Sequence, residues 1–514
     1  MKNTKIILRT IALVAITILS AAIFPKPTPA QTAPTPQGLE GFWQATLGSG
    51  PGKLRVLVSF SKSADGSFKG TLQSIDQDAT FDISNISLNE NAVHFELKDI
   101  GGVYQGTLSK DGASLTGTWT QTGVPAQPLN FTWSATAPQV APNPTMIPAA
   151  PPVPLSGLQA ILDRELAPIL DHGILAKSTG GGIVIGVYDH GQKQIFAYGA
   201  AQPDSIFEIG SLTKTFTGLI LAQMVQQKKV SFGDPVRTLL PNGTVIKPLG
   251  AEITLLDLAT QHSGLPRMPD NFRPANATNP YVDYHAAQMY DYLSKHGVTR
   301  AQDTIFLYSN FGFGLLGTAL SLRAGIPYGQ LVRNEITGPL HMEDTVITLS
   351  GSQQSRMIQG HDLQNRPAGR WDFDVFAGAG ALVSTGADML KYLEANLHPE
   401  KLAGTAGSSS IADADSPTVT LSAAIAADHQ LRASGVGPTK VALAWLYNEQ
   451  TKIYFHDGGT GGFASFAAFM PSDDRAIVVL CNRSDATTAN PFAQLVFFHI
   501  VGLMTGQPTI KLDQ

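Results

Sequence analysis

One cysteine, Cys481, is all that the 514 residues contain. No internal disulfide is possible, so the packed core alone must hold the fold. A lone cysteine can be a nucleophile, but this one ends the apolar run Ala476-Ile477-Val478-Val479-Leu480, which reads as a buried strand. No chemistry is assigned to it. Charge is also sparse: Asp, Glu, Lys and Arg make up 15% of the chain, with a formal net charge of −5. No cluster of Lys and Arg stands out, which argues against a nucleic-acid partner. Several chemical signatures are missing. Without a Gly-x-Ser-x-Gly elbow an α/β-hydrolase fold is not expected. Neither His-Glu-x-x-His nor a His-x-His cluster occurs, so no metal site is expected. There is no Gly-x-x-x-x-Gly-Lys phosphate loop, and no cofactor is expected.

Gly (50) and Pro (33) are plentiful, and 43% of residues are hydrophobic, enough for a sizeable core. The length points to more than one domain. Lys2, Lys5 and Arg9 precede an apolar run from Ile11 to Phe24. That run is short for a membrane span, which needs roughly 20 residues. Small residues around Ala30 suit cleavage, so residues 1–30 read as a secretory signal peptide. A periplasmic or secreted protein with no stable membrane span after cleavage is expected.

Residues 38–135 read as an all-β barrel or sandwich. Short alternating runs such as Leu54–Phe60 are separated by turn signals at Ala64–Ser67, Asn89–Asn91 and Lys110–Gly112. Phe68-Lys69-Gly70-Thr71-Leu72 and Tyr104-Gln105-Gly106-Thr107-Leu108 resemble each other and suggest equivalent strands. This domain carries no recognisable chemistry. A structural role is preferred, with binding of cell-wall polymer as the alternative. Residues 136–154 are rich in Pro and Ala and read as a semi-rigid linker.

Residues 155–514 read as mixed α/β (α+β), an antiparallel sheet with a helical lobe. Leu158, Ile161, Leu162, Leu166, Ile169 and Leu170 share one helical face. Ile183–Tyr188 and Gln194–Tyr198 flank Asp189-His190-Gly191 as a hairpin. A helical middle is expected from Ser211 to Leu397. Strands follow at 442–448, 451–456, 464–470 and 474–481, and an apolar helix from Phe492 to Met504 closes the chain. Strands at both ends with helices between them suggest one sheet built from both termini. Residues 403–420, rich in Ser, Ala, Gly and Asp, read as a mobile surface insert.

Three short segments carry residues suited to acyl chemistry. Ser211 opens a helical run, where free backbone N–H groups can meet negative charge developing on a carbonyl oxygen. Lys214 lies one turn on, on the same face. In a dry pocket its amine can be neutral enough to take the serine proton. Tyr308-Ser309-Asn310 follows the strand-like Thr304–Leu307. A Tyr308 phenol of lowered pKa beside Lys214 is expected to shuttle protons, and Asn310 to hold Lys214 and a substrate amide. His456-Asp457-Gly458-Gly459 ends another strand, with glycines that let a substrate lie against its edge. His262, after a helix and before Ser263-Gly264-Leu265-Pro266, reads as a structural turn residue.

Ser-x-x-Lys, Tyr-x-Asn and His-x-Gly, in this order, resemble the serine β-lactamase and penicillin-binding protein superfamily. Tyrosine in the second motif is similar to the class C β-lactamase branch, since class A has Ser-Asp-Asn there. The stretches Ile253–Leu258, Gln261–Pro266, Tyr308–Gly317 and Gly378–Thr385 also resemble that branch, over roughly residues 155–505. The resemblance implies that Ser211 forms an acyl-enzyme and that Lys214 and Tyr308 share the base and acid work. It further implies that Asn310 orients the acyl side chain, that His456 meets the far end of the substrate or Tyr308, and that Gly458 and Gly459 line the strand. The N–H groups of Ser211 and Gly459 would form the oxyanion hole. The implied substrates are β-lactams, D-amino-acid peptides or esters; the alternative is a non-catalytic penicillin-binding or cell-wall-binding scaffold, against which the intact Ser211, Lys214 and Tyr308 argue. The sequence departs from the pattern at His456-Asp457, where Lys and Thr are common. A histidine only partly charged near neutral pH makes efficient β-lactam hydrolysis less expected than peptidase or esterase activity.

Overall fold

The computed structural model describes residues 38–512 apart from short stretches, the longest being 135–145 and 405–416. The expected signal segment lies outside the described residues. The chain divides into two units, Met1–Asn143 and Pro144–Gln514.

The first unit is a closed barrel of eight antiparallel strands: β1 (Gly41–Leu47), β2 (Leu54–Lys62), β3 (Phe68–Ser74), β4 (Ala79–Asn89), β5 (Ala92–Leu97), β6 (Gly102–Leu108), β7 (Ser114–Gln121) and β8 (Val124–Ser134). Each strand pairs with its sequence neighbour, and β1 closes on β8 with Trp43 opposite Trp133. Closure removes the exposed edges that an open sheet would leave. Alternate residues point inward, so Trp43, Val58, Phe95, Tyr104 and Phe131 fill the interior. Phe95 stacks on Tyr104 with ring centroids 4.8 Å apart. The two similar stretches noted above lie in β3 and β6.

The second unit is built on one antiparallel eight-stranded sheet. Its strands are β9 (Gly182–Asp189), β10 (Gln192–Gly199), β11 (Ala433–Ser434), β12 (Thr439–Val441), β13 (Leu446–Asn448), β14 (Ile453–Gly459), β15 (Ala464–Met470) and β16 (Arg475–Cys481), in the order β10-β9-β16-β15-β14-β13-β12-β11. The first hairpin thus joins strands from the C-terminal third, Ile183 lying opposite Cys481 and Asp189 opposite Arg475. Five helices matter most: α1 (Leu155–His172), α2 (Thr213–Gln226), α3 (Asn310–Ala324), α4 (Gly386–Leu397) and α5 (Phe492–Thr505).

Both faces of the sheet are covered. Ile183, Ile185 and Val187 of β9 and Ile477, Val479 and Cys481 of β16 pack with α1 and α5. Val184, Tyr188, Val478 and Leu480 face the helical lobe and α4. Two-sided burial explains why these strands read as unbroken apolar runs rather than alternating ones. Gly186 sits where a Cβ would meet Leu390 of α4 and Val478 at about contact-breaking distance (3.0 and 2.9 Å), so its lack of a side chain admits the helix. The end of the Pro/Ala-rich stretch belongs to this unit: Met146–Ile147 pairs with Thr509–Ile510, and Val153 N donates to Leu503 O.

Three expectations need correction. Of residues 442–448 only Leu446–Asn448 is a strand, because Leu443 N and Ala444 N donate to Asp428 O and Ala259 O in the helical lobe instead of to a neighbouring strand. Two short strands before it, β11 and β12, were not expected. Thr304–Leu307 is not a strand either: Leu307 N donates to Gln261 O, but Ile305 is 71% exposed and no ladder forms. The expected insert ends early. Residues 405–416 lie outside the described residues, and a helix, Pro417–Asp428, begins within the remainder.

Helix α2 lies against the chain at Leu443 through Gly218, whose added Cβ would come within 2.3 Å of Leu443 O. That neighbour is backbone and cannot swing aside. Gly218→Ala is therefore expected to destabilise the protein by about 1–3 kcal/mol despite alanine's better helix propensity. Denaturant unfolding measures it, and an unchanged or raised midpoint contradicts the packing described.

Candidate active site

Helix α2 is preceded by a 3-10 turn, Gly210–Leu212, that presents Ser211 at its start. Gly210 has φ of +51°. A Cβ there would sit 2.7 Å from Gly459 N, and one on Gly458 would sit 2.1 Å from Ile209 O. These glycines allow the end of β14 to run directly against the turn that carries Ser211. Ser465 Oγ on β15 donates to Ile209 O at 2.9 Å and ties the same turn to the sheet.

Lys214 is fully buried, and its Nζ has three neighbours. It lies 2.9 Å from Ser211 Oγ and donates to Asn310 Oδ1 at 3.0 Å and to Ala379 O at 2.7 Å. Burial pushes the amine well below the ordinary lysine range; the Arg267 guanidinium acts in the same direction and Asp457 against it. None of the three neighbours is an anion, so no contact supplies the amine with a counter-charge. Ala379 belongs to the Gly378–Thr385 stretch, which brings its carbonyl to the amine across the lobe.

Tyr308 precedes α3, whose N-cap is Ser309: its Oγ accepts from Gly312 N at 2.8 Å and donates to Pro266 O at 2.6 Å. Asn310 is thus the first helical residue, free to turn its side chain to Lys214. The Tyr308 ring centroid lies 4.8 Å from Lys214 Nζ and 6.4 Å from the His456 ring. The expected lowering of the Tyr308 pKa is not found. Burial pushes the phenol above the ordinary tyrosine range, Asp457 adds to this, and Arg267 and the Ser211 hydroxyl only partly oppose it. Its hydroxyl faces Ser211 without reaching a well-formed hydrogen bond, and it stays protonated at neutral pH.

His456 also differs from expectation. Its Nδ1 donates to Asp457 O at 2.6 Å, which assigns the proton to Nδ1 and leaves Nε2 an acceptor. Burial, with the Lys214 amine beside it, lowers its pKa to about 3. The ring is neutral at pH 7 rather than partly charged. Half-buried Asp457, next in the strand, is raised to about 6 by burial, with Lys214 and Arg267 pulling the other way. His262 is held in its turn by a 2.7 Å contact from Nδ1 to Thr260 O, away from these groups.

The structure therefore gathers Ser211, Lys214, Tyr308, Asn310, His456, Gly458 and Gly459 into one place. It adds residues that motif reading passed over. Arg267 stands one position past the Gln261–Pro266 stretch, with its guanidinium carbon 5.1 Å from the Tyr308 ring centroid. Tyr281 brings its hydroxyl to 3.5 Å from Asn310 Nδ2 and stacks on Phe373 at 4.7 Å, with Trp371 at 5.3 Å. No spacing rule connects 281 with 371–373. Only the aromatic content of the two loops hinted at a shared wall.

A sequence profile described as Beta-lactamase matches residues 172–495. The chain belongs to the β-lactamase family. Its relatives in the family include the D-alanyl-D-alanine-carboxypeptidase/endopeptidase AmpH of Escherichia coli, 29% identical over 62% of this chain and 83% of that protein. A β-lactamase of Pseudomonas fluorescens is 26% identical over 64% of this chain and 94% of its own length. Among solved structures, a class C β-lactamase superposes with a TM-score of 0.53 at 20% identity, covering 70% of this chain and 98% of that one. A β-lactamase from Sulfitobacter sp. gives 0.52 at 21% identity, over 67% and 98%. The β-lactamase/transpeptidase-like fold with an added all-β domain, read from the sequence, is the fold observed.

A neutral His456 has a direct spectroscopic consequence. Its folded pKa lies below the ordinary 6.5, so the ring takes a proton only near pH 3. Its imidazole NMR signals should stay constant from pH 8 to pH 5, and a titration centred near 6.5 would contradict the burial described.

Proposed function

We propose that this chain is an exported serine hydrolase that cleaves an amide through an acyl group on Ser211, in the manner of a D-alanyl-D-alanine carboxypeptidase or β-lactamase. The observation that carries the reading is the buried Lys214 amine at 2.9 Å from Ser211 Oγ. A neutral amine has two N–H donors and one lone pair. Asn310 Oδ1 and Ala379 O take the donors, which leaves the lone pair for the Ser211 proton.

In this mechanism Ser211 Oγ attacks the carbonyl carbon while Lys214 takes its proton. The backbone N–H groups of Ser211 and Gly459 receive the charge on the carbonyl oxygen. Tyr308, still protonated, gives its proton to the leaving nitrogen, and the proton held on Lys214 restores the phenol. Water then attacks the acyl group by the same route in reverse. Asn310, beside Tyr281, orients the acyl side chain, and His456 offers Nε2 as an acceptor. The activities for which the relatives are named, a carboxypeptidase/endopeptidase and β-lactamases, support the amide as the bond cleaved. Export rests on the basic start and apolar run of residues 2–24.

A carboxylesterase is the second reading. The neutral His456 favours it, since the strand supplies no cation for a substrate carboxylate at that position.

Ser211→Ala is expected to lower turnover at least ~1,000-fold on every substrate the protein accepts, and Lys214→Ala to a similar extent, because the pair acts as a unit. A panel of a chromogenic β-lactam, a peptide ending in D-Ala-D-Ala and a p-nitrophenyl ester measures it and ranks amide against ester. Undiminished turnover by Ser211→Ala would end the proposal.

A further inference from the structure

A proton donor must stand within hydrogen-bond reach of the nitrogen it protonates, yet the Tyr308 hydroxyl has no well-formed bond to aim it. Its position is set from the backbone end. The chain leading to it gives little support: Thr304–Leu307 joins no ladder, and Ile305 is 71% exposed. Gln261 holds the tyrosine from both sides. Its carbonyl accepts from Leu307 N at 2.8 Å, and its side-chain Oε1 accepts from Ser309 N at 2.7 Å. Gln261 and Ser309 are both buried, so losing the second bond would strand a backbone donor away from water.

Two local features show that this glutamine side chain is used. The first is the backbone of Gln261 itself. It follows the short helix Leu255–Ala259, with Gln261 N donating to Leu258 O at 3.2 Å and His262 N to Asp257 O at 2.8 Å. That pair of bonds is a Schellman ending, whose left-handed residue is usually glycine. Gln261 takes that place at φ of +63°, a conformation that costs free energy for a residue with a Cβ. The second feature is the start of α3. The N–H of an N-cap residue is often met by the side chain of the third helical residue. Here that residue is Gly312, which donates its own N–H to Ser309 Oγ at 2.8 Å but has no side chain to return the bond. Gln261 Oε1 supplies the missing acceptor from another segment.

We infer that Gln261 is a positioning residue for proton donation: by bracketing Tyr308 it keeps the phenol aimed at the leaving nitrogen. The inference rests on the acyl-Ser211 reading and adds a residue to it. Gln261 exchanges no proton and makes no bond in the reaction; it acts through Tyr308. The bond from Leu307 N goes to a main-chain carbonyl and survives a change of side chain. The bond from Ser309 N is the one that a substitution removes.

Leaving groups that differ in their need for a proton test it. An amide that the protein cleaves is paired with the p-nitrophenyl ester of the same acyl group. An amine leaves only when protonated, whereas p-nitrophenolate leaves without a proton. Both substrates are followed for the wild type, Gln261→Met, Tyr308→Phe, the double variant and Ser211→Ala. They are compared as kcat/KM, so that deacylation, common to the pair, does not enter. Gln261→Met keeps the length of the side chain and loses the acceptor. Its ratio of amide over ester should fall roughly 10- to 100-fold, the scale of loss for a reacting group about an ångström out of place, with the ester itself little changed. Tyr308→Phe should lower the ratio at least as far. Adding Gln261→Met to it should lower the ratio no further, because one residue acts through the other. An unchanged ratio in Gln261→Met, or an equal further fall in the double variant, overturns the inference while leaving the acyl-enzyme reading in place. Labelling of Ser211 by a fluorophosphonate reports a folded site in each variant. Should Gln261→Met fail to label, Gln261→Asn, which withdraws the acceptor by one methylene, is read in its place against the same outcomes. Turnover that persists in Ser211→Ala, or a wild type that cleaves no amide, removes the underlying reading and the inference with it.

Discussion

Everything in the site depends on one amine placed where water does not reach. Lys214 is completely buried and meets only a hydroxyl, a side-chain carbonyl and a backbone carbonyl. An ammonium in such surroundings loses its hydration without gaining a counter-ion, so burial shifts the group towards its neutral form. The three oxygens come from three separated segments: the turn before α2, the start of α3 and the Gly378–Thr385 stretch. None of them makes a base of Lys214 alone. Together they exclude water and fix the direction of its lone pair.

Such convergence requires backbones to approach more closely than side chains permit, and glycine sits at the crossings. Gly210 adopts a left-handed φ beside Gly459 N, and Gly458 lies over Ile209 O at a distance no Cβ tolerates. Gly218 does the same for the far side of α2 against Leu443. The sheet, the nucleophile-bearing turn and the helical lobe are therefore locked by backbone contact, which is stiffer than contact through flexible side chains. Precise placement of the reacting groups follows from that stiffness.

Much of this is legible in the sequence. The three motifs, the helix periodicity of α1 and the strand runs around 464–481 each depend on local sequence, and local sequence carries them. The unread parts depend on distant partners. Residues 442–445 look strand-like by composition, yet the N–H groups of Leu443 and Ala444 are taken by Asp428 O and Ala259 O, carbonyls that only the tertiary fold brings near. The aromatic wall of Tyr281, Trp371 and Phe373 joins two loops with no common spacing. The protonation states failed for the same reason: residue type suggested an acidic Tyr308 and a partly charged His456, whereas depth of burial, invisible in sequence, pushes both towards neutrality.

That neutrality has its own logic. Lys214, Tyr308 and His456 are packed so closely that two like charges among them would repel strongly in a medium poorer than water at screening. Keeping all three uncharged at rest lets one proton move among Ser211, Lys214 and Tyr308 while only a single charge exists at a time. The Arg267 guanidinium remains nearby as a fixed charge and lowers the Lys214 amine further, while burial pushes the Asp457 carboxyl up to about 6. A permanent cation at the position of His456 would lie directly beside the amine and depress it further, at the expense of its ability to hold the serine proton.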